Sequence, residues 1–258
     1  QLTQKQFKLL FNFCKKNKIK FLSTAFDLKS LKFINSLDPE FIKIPSGEIT
    51  NFQLIKEITK LKKKVILSTG MSNLNEISKT YKFLIKNGIV KKKIFLLQCN
   101  TEYPTPFSDV NLNVLKTFKK KFGDNLGYSD HTMGIEAAIA SVPLGAKIIE
   151  KHFTLNRKMK GPDHKASLEP VEFKKMVDAI RNIESALGKN IKKVTKSERK
   201  NLNVARKSIV AIKEINKGDV FSENNIGVKR PGGGLSPTKW FEILEKTSKK
   251  KYRKDDFI

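Results

Sequence analysis

Phe41-Ile42-Lys43-Ile44-Pro45-Ser46-Gly47-Glu48 carries the architecture of this 258-residue chain in miniature. A near-continuous apolar run, too short for a helix, stops at a proline and opens into a polar cluster. Runs of this kind mark strands covered on both faces of a parallel sheet. The same design recurs at Lys20–Ser23, Lys64–Ser68, Ile94–Gln98, Leu126–Ser129 and Lys147–Glu150. Helical patterns separate the runs. Leu74, Ile77, Tyr81 and Leu84 share one stripe, with Ser72 placed to cap the helix start. Phe173, Met176, Val177, Ile180 and Leu187 share another, and Phe7, Leu10, Phe11 and Cys14 mark a helix with no strand ahead of it.

Six strand–helix units predict an α/β fold of the TIM (β/α)8 type that lacks its first two strands. A closed barrel needs eight strands and roughly 250 residues, whereas the barrel portion here ends near Gly188. An open doubly wound sheet accommodates six strands, but no Gly-rich phosphate fingerprint follows any run. Residues 1–188 therefore read as a partial barrel and the polar stretch 189–202 as a linker. Residues 203–258 read as a small, mostly β domain. It opens on the strand-like Ser208-Ile209-Val210-Ala211, turns around Gly218, and passes through Val228-Lys229-Arg230-Pro231-Gly232-Gly233-Gly234, too flexible for an element interior.

The formal net charge of +27 raises the question of nucleic acid. Lysines far outnumber arginines and occur in short runs along the whole chain, as at Lys62-Lys63-Lys64 and Lys91-Lys92-Lys93. Lys, Asn, Ile and Phe are abundant together, the signature of AT-rich codons. Nucleic-acid readers concentrate Arg and exposed aromatics on one face, so no nucleic-acid partner is expected. No 18-residue apolar run exists, so no membrane span is expected. Cys14 and Cys99 follow no metal or redox spacing, which fits a reduced, cytoplasmic setting.

In parallel α/β folds the chemistry sits at the carboxyl ends of the strands. Those ends collect Ser23-Thr24, Lys43 with Ser46-Gly47-Glu48, Ser68-Thr69-Gly70, Gln98 with Asn100, Thr101 and Tyr103, Ser129-Asp130-His131, and Glu150-Lys151-His152. Two of the three histidines thus end consecutive strands and can converge on one divalent ion such as Mn²⁺ or Zn²⁺. From spacing alone, a core hydrogen bond for one and a surface position for the other is the plainer reading. Lys43, inside an apolar run, either meets an anion or snorkels from the strand end. Ser68-Thr69-Gly70 ahead of a helix reads as a phosphate cradle or an ordinary turn.

The order of these motifs sharpens the reading. Phe21-Leu22-Ser23-Thr24-Ala25-Phe26, Lys43-Ile44-Pro45-Ser46-Gly47-Glu48 and Leu67-Ser68-Thr69-Gly70-Met71 resemble, in sequence, the N-acetylneuraminate (sialic acid) synthase family. So do Tyr103-Pro104-Thr105-Pro106, Gly127-Tyr128-Ser129-Asp130-His131-Thr132, Glu150-Lys151-His152-Phe153-Thr154 and Gly161-Pro162-Asp163-His164-Lys165-Ala166-Ser167-Leu168-Glu169-Pro170. Val228-Lys229-Arg230-Pro231-Gly232 resembles the antifreeze-like (SAF) domain that ends these enzymes, so the resemblance spans essentially the whole chain.

The family, which includes legionaminic and pseudaminic acid synthases, implies a metal-dependent condensation. Phosphoenolpyruvate joins an open-chain N-acylated hexosamine to give a nine-carbon 2-keto acid and phosphate. By motif, His131 and His152 are implied metal ligands, for Mn²⁺ with Mg²⁺ or Co²⁺ as alternatives. Lys43, Thr24, Ser46, Ser68 and Ser129 are the implied phosphoenolpyruvate shell. Glu48 and Asp163 are implied contacts to sugar hydroxyls and metal-bound water, and with Lys43 they form the implied catalytic set. Tyr103 and Thr101 belong to the implied substrate pocket, although Thr101 stands where some relatives have Asn. Arg230 is the implied arginine that reaches the N-acyl group from the other subunit of a domain-swapped homodimer. The family's early Glu-Ile-Gly-x-Asn-His-type and Lys-x-Gln-type strands have no counterpart here, so an N-terminally truncated enzyme, incomplete for catalysis, is expected.

Overall fold

A computed structural model describes residues 2–258 and divides them into two compact units, ending and beginning at Gly188 and Lys189. In the first unit, helices α1 (Gln4–Lys16) and α2 (Leu28–Ser36) precede strand β1 (Phe41–Ile44). Then α3 (Phe52–Lys60), β2 (Lys64–Ser68), α4 (Leu74–Lys86), β3 (Ile94–Cys99), α5 (Val114–Phe122), β4 (Leu126–Asp130), α6 (Glu136–Ser141), β5 (Ala146–Lys151) and α7 (Pro170–Leu187) alternate. The sheet is wholly parallel, in the order β1-β2-β3-β4-β5. Doubly wound sheets reverse their order at a switch point. This one never does, so right-handed crossovers place every connecting helix on one face.

Alternation along the strands then assigns two faces. Ile42, Ile44, Val65, Leu67, Ile94, Leu96, Leu126 and Tyr128 form the core beneath the helices, packed with Leu54, Ile55, Ile58, Tyr81, Leu84, Leu115 and Phe118. Each such aliphatic side chain contributes about 1.5–3 kcal/mol on burial. The opposite face carries Lys43, Ile66, Ser68, Leu97, Cys99, Ser129 and Glu150. That face is concave. A flat sheet would hold β1 and β5 roughly 19 Å apart, four steps of about 4.8 Å. Yet Lys43 Nζ on β1 lies 2.6 Å from Glu150 Oε2 on β5, a gap that only a strongly curled sheet closes.

Two local expectations are corrected. Lys20–Ser23 is not a strand, and only Thr24 makes a single parallel bridge, to Lys43. Its one neighbour is the four-residue β1, which offers too short a ladder to hold extended backbone beyond that bridge. Ser72 does not cap α4, because Asn73 does. The Asn73 Oδ1 accepts from the amides of Asn75 and Glu76, and the Glu76 carboxylate accepts from the Asn73 amide. Within 189–202, read as a linker, Arg199 begins a helix, α8 (Arg199–Ala205).

The second unit continues with β6 (Ser208–Ala211), antiparallel to β7 (Ile226–Lys229), and a short α9 (Trp240–Ile243). Its small core gathers Ile209, Ala211, Ile215, Phe221 and Ile226. Bridges from Val210 to Phe257, Ile215 to Tyr252 and Val220 to Thr247 close the fold with almost no regular ladder. No helix among the described residues is long and apolar enough to cross a membrane.

The tightest point of the curled sheet is Gly127. A Cβ there would meet the Ile148 carbonyl oxygen at 2.5 Å and Leu97 Cδ1 at 3.1 Å. Backbone cannot yield as a flexible side chain does, so Gly127→Ala is expected to cost about 1–3 kcal/mol. Thermal unfolding followed by circular dichroism checks this, with a midpoint lowered by several degrees as the expected result.

Candidate active site

The carboxyl ends of β1, β2, β4 and β5 bring one polar cluster together on the concave face. Lys43 is buried and donates to both carboxylate oxygens of Glu150, at 2.7 and 2.6 Å. Ser129, fully buried one strand away, donates to Glu150 Oε1 at 2.7 Å. Burial pushes the Glu150 carboxyl up, but the Lys43 charge and the bonds from Lys43 and Ser129 outweigh it and hold the group below the ordinary glutamate value. Ser46 and Ser68 are also buried. Ser46 Oγ accepts from the Gly70 amide at 2.9 Å, whereas Ser68 Oγ is buried with no hydrogen-bond partner. A buried polar atom without a partner costs free energy, so the Ser68 hydroxyl, on the same face of the sheet as the Lys43 ammonium, suits an oxyanion. Gly70 must lack a side chain here: a Cβ would meet Thr101 Cγ2 at 2.7 Å and Ser46 Oγ at 2.9 Å.

Beyond this cluster, His131 and His152 face one another with ring centroids 5.1 Å apart. Tyr103 stacks on His131 at 4.1 Å and meets His152 edge-on at 5.5 Å. His131 Nδ1 donates to the Asn100 carbonyl at 2.5 Å, which fixes the tautomer and leaves Nε2 as a free lone pair. Burial lowers the His131 pKa, the neighbouring His152 lowers it further, and the Asn100 bond opposes both. The shift favours the neutral ring, the form whose lone pair a cation can take. Asp163 Oδ2 stands 3.9 Å from His152 Nδ1. Two imidazoles at this separation fit one divalent ion, although among the described residues no three His, Cys, Asp or Glu side chains gather into a ligand cluster.

The other candidates make no side-chain hydrogen bond to these groups. Glu48 accepts from Asn51 Nδ2 at 2.6 Å and makes no bond to Lys43 or either histidine. Thr24 pairs through its backbone with Lys43 and borders a cavity of about 310 Å³ toward Phe7 and Phe33. Thr101 lies half-buried over Gly70. Arg230 is exposed in the second unit, just after β7. A cavity of about 560 Å³ between α4 and α5 is lined by Asn73, Gln98, Asn100 and Asp109, and its walls include none of Lys43, Glu150, His131 or His152.

The NeuB family model matches residues 1–192, and the SAF domain model matches residues 206–258. The chain belongs to the NeuB family. It is 52% identical over 258 residues to the N,N'-diacetyllegionaminic acid synthase of Campylobacter jejuni, covering all of this chain and 77% of that relative. The human N-acetylneuraminate-9-phosphate synthase is 31% identical over 260 residues, covering 100% and 72%. Among solved structures, the sialic acid synthetase of Leptospira borgpetersenii in complex with citrate superposes with a TM-score of 0.72 at 34% identity, covering 78% of this chain and 70% of that one. The spore coat polysaccharide biosynthesis protein SpsE of Bacillus subtilis superposes with a TM-score of 0.69 at 30% identity, covering 100% and 77%.

Within this NeuB chain, sequence reasoning left Glu150 and Asn100 without roles. The need of a buried lysine for a counter-ion pointed to some carboxylate, and the strand-end parity of Glu150 would have singled it out. Asn100 acts through its main-chain carbonyl, which no side-chain pattern reveals. The Lys43–Glu150 pair gives a pH signature. A depressed folded pKa contributes stability that is present above the ordinary glutamate value and is lost as pH falls through the folded value. Glu150→Gln is thus expected to destabilise by about 1 kcal/mol at neutral pH, discounted because the carboxylate is partly exposed. Thermal midpoints of both proteins, measured down to about pH 3, should converge in acid.

Proposed function

We propose that this chain is the synthase portion of an enzyme that condenses phosphoenolpyruvate with an N-acylated hexosamine, N-acetylmannosamine or an analogue. The products are a nine-carbon 2-keto sugar acid and phosphate. The observation that carries the reading is the buried Lys43 and the unpartnered Ser68 hydroxyl on one face of the sheet, at the strand ends that also carry the paired imidazoles of His131 and His152. Cation and hydroxyls suit the carboxylate and phosphate of an enol phosphate. The family membership supports the same chemistry. The identity to the Campylobacter enzyme favours an acceptor that leads to a doubly N-acetylated product, as that relative's name states for its own.

In this reading the curled sheet forms five staves of an eight-stranded barrel whose first two strands are not among these residues, with the Thr24 segment as the stave beside β1. Lys43, Ser46, Ser68, Ser129 and Thr24 orient the enol phosphate, and Glu150 holds the Lys43 ammonium in place. Asp163, Tyr103 and Thr101 line the sugar side, where Glu48 is a further contact by motif. His131 and His152 would hold a divalent ion, Mn²⁺ with Mg²⁺ or Co²⁺ as substitutes, whose chemistry is Lewis-acid polarisation of the sugar aldehyde. Phosphoenolpyruvate C3 then bonds to the aldehyde carbon, whose oxygen takes a proton. Water adds at C2, and phosphate departs. Aligning two polar substrates contributes up to about 7–11 kcal/mol. A homodimer with exchanged SAF domains would bring Arg230 of one copy to the N-acyl group in the other. Free Cys14 and Cys99 suit a cytoplasmic setting.

A phosphate-release assay on the enzyme with its complete barrel, with Mn²⁺ and a panel of mono- and di-N-acyl hexosamines, tests this. Turnover should need both substrates and the metal. It should vanish in His131→Ala and in His152→Ala, and kcat/KM for phosphoenolpyruvate should fall roughly 10²-fold in Lys43→Ala. Metal-dependent turnover that persists in either histidine variant contradicts the reading.

A further inference from the structure

Behind the two imidazoles, on the helical side of the sheet, lies a second ion pair that no step above uses. Lys151 Nζ is 2.9 Å from Asp130 Oδ2, and both side chains are 0% exposed. The residues stand opposite one another in the β4–β5 register, one rung beyond Ser129 and Glu150. Alternation therefore sends Asp130 and Lys151 to one face and their immediate successors, His131 and His152, to the other.

Both oxygens of this carboxylate are engaged. Asp130 Oδ1 accepts from the Thr132 amide at 2.9 Å, the Thr132 hydroxyl at 2.8 Å and the Tyr128 hydroxyl at 3.2 Å. Lys151 donates in addition to the Thr132 carbonyl at 2.5 Å. The pair thus grips both backbone groups of the residue after His131 while its lysine is the residue before His152. Two backbone bonds also hold the ends of these strands: the His131 carbonyl accepts from the Thr105 amide at 2.9 Å, and the His152 carbonyl accepts from the Leu168 amide at 2.8 Å.

Stability alone does not account for such a pair. Desolvating two charges cancels most of their attraction, and apolar replacements of similar volume are often neutral or stabilising. A pair that joins two strands at the very residues preceding the imidazoles fixes something apolar packing would leave loose. We infer that Asp130 and Lys151 are positioning residues that set the spacing of His131 and His152, and with it the affinity of the divalent-ion site. This rests on the reading that the two imidazoles hold an ion.

The test is a Mn²⁺ titration by electron paramagnetic resonance of the full-length protein, with folding checked by circular dichroism. Two variants are compared with the parent: the double replacement Asp130→Leu/Lys151→Met, and Asp130→Asn, which keeps the shape and removes the charge. Each should remain folded and bind Mn²⁺ on the order of ten-fold more weakly. The KM for phosphoenolpyruvate should stay unchanged while kcat falls, because neither Asp130 nor Lys151 bonds to Lys43, Glu150 or Ser68. Parental Mn²⁺ affinity in a folded variant overturns the positioning role, and so does failure of both variants to fold, which would make the pair a stability element. A parent protein that binds no Mn²⁺ overturns instead the assignment of the two histidines.

Discussion

The Lys43–Glu150 ion pair joins the first and last strands of a five-stranded sheet across its concave side. Its geometry demands the curl, and its electrostatics demand the polar lining. A lysine in an apolar strand is tolerated only where its ammonium meets compensating charge. Glu150 supplies that charge, and Ser129 satisfies a further carboxylate lone pair. The lysine in turn helps hold the carboxyl below the ordinary glutamate value. Strand curvature, burial of the lysine and its compensating charge thus go together.

The same two strands carry opposite duties on successive rungs. Ser129 and Glu150 face the concave side and bond to one another. Asp130 and Lys151 face the helices and hold backbone, and His131 and His152 return to the concave side. Strict alternation allows six polar residues at two strand ends without weakening the aliphatic core beneath. The orphaned Ser68 hydroxyl and the free Nε2 of His131 are the groups this arrangement leaves for something other than the protein. In an otherwise satisfied cluster they mark where substrate and ion belong in the proposed reaction.

Much of the fold was legible because strands buried on two faces leave a strong apolar signal. Phe41–Ile44 and Lys64–Ser68 begin and end in the structure where their apolar runs do, and Ser208–Ala211 does as well. Lys20–Ser23 has the same composition but only one short neighbour, and composition cannot supply hydrogen-bond partners. Asn73 displaced Ser72 as cap because Glu76, three residues on, completes the reciprocal box only from that position. At the site, Lys43, Ser68, His131 and His152 stood out as polar residues at the ends of apolar runs. Glu150 did not acquire a role, because its partner lies 107 residues away and only the closure of the sheet unites them. Lys151 and Asp130 read as ordinary strand-end charges until the register set them face to face on the buried side.

In the proposed reaction the concave face offers a lysine and hydroxyls to the enol phosphate and two imidazoles to the ion. Anomalous diffraction at the manganese edge, on crystals soaked with Mn²⁺ and phosphoenolpyruvate, tests this arrangement. One anomalous peak is expected between Nε2 of His131 and the ring of His152, with anion density against Lys43 and the Ser68 hydroxyl. A manganese peak remote from both histidines, or the anion bound on the helical face, would contradict it.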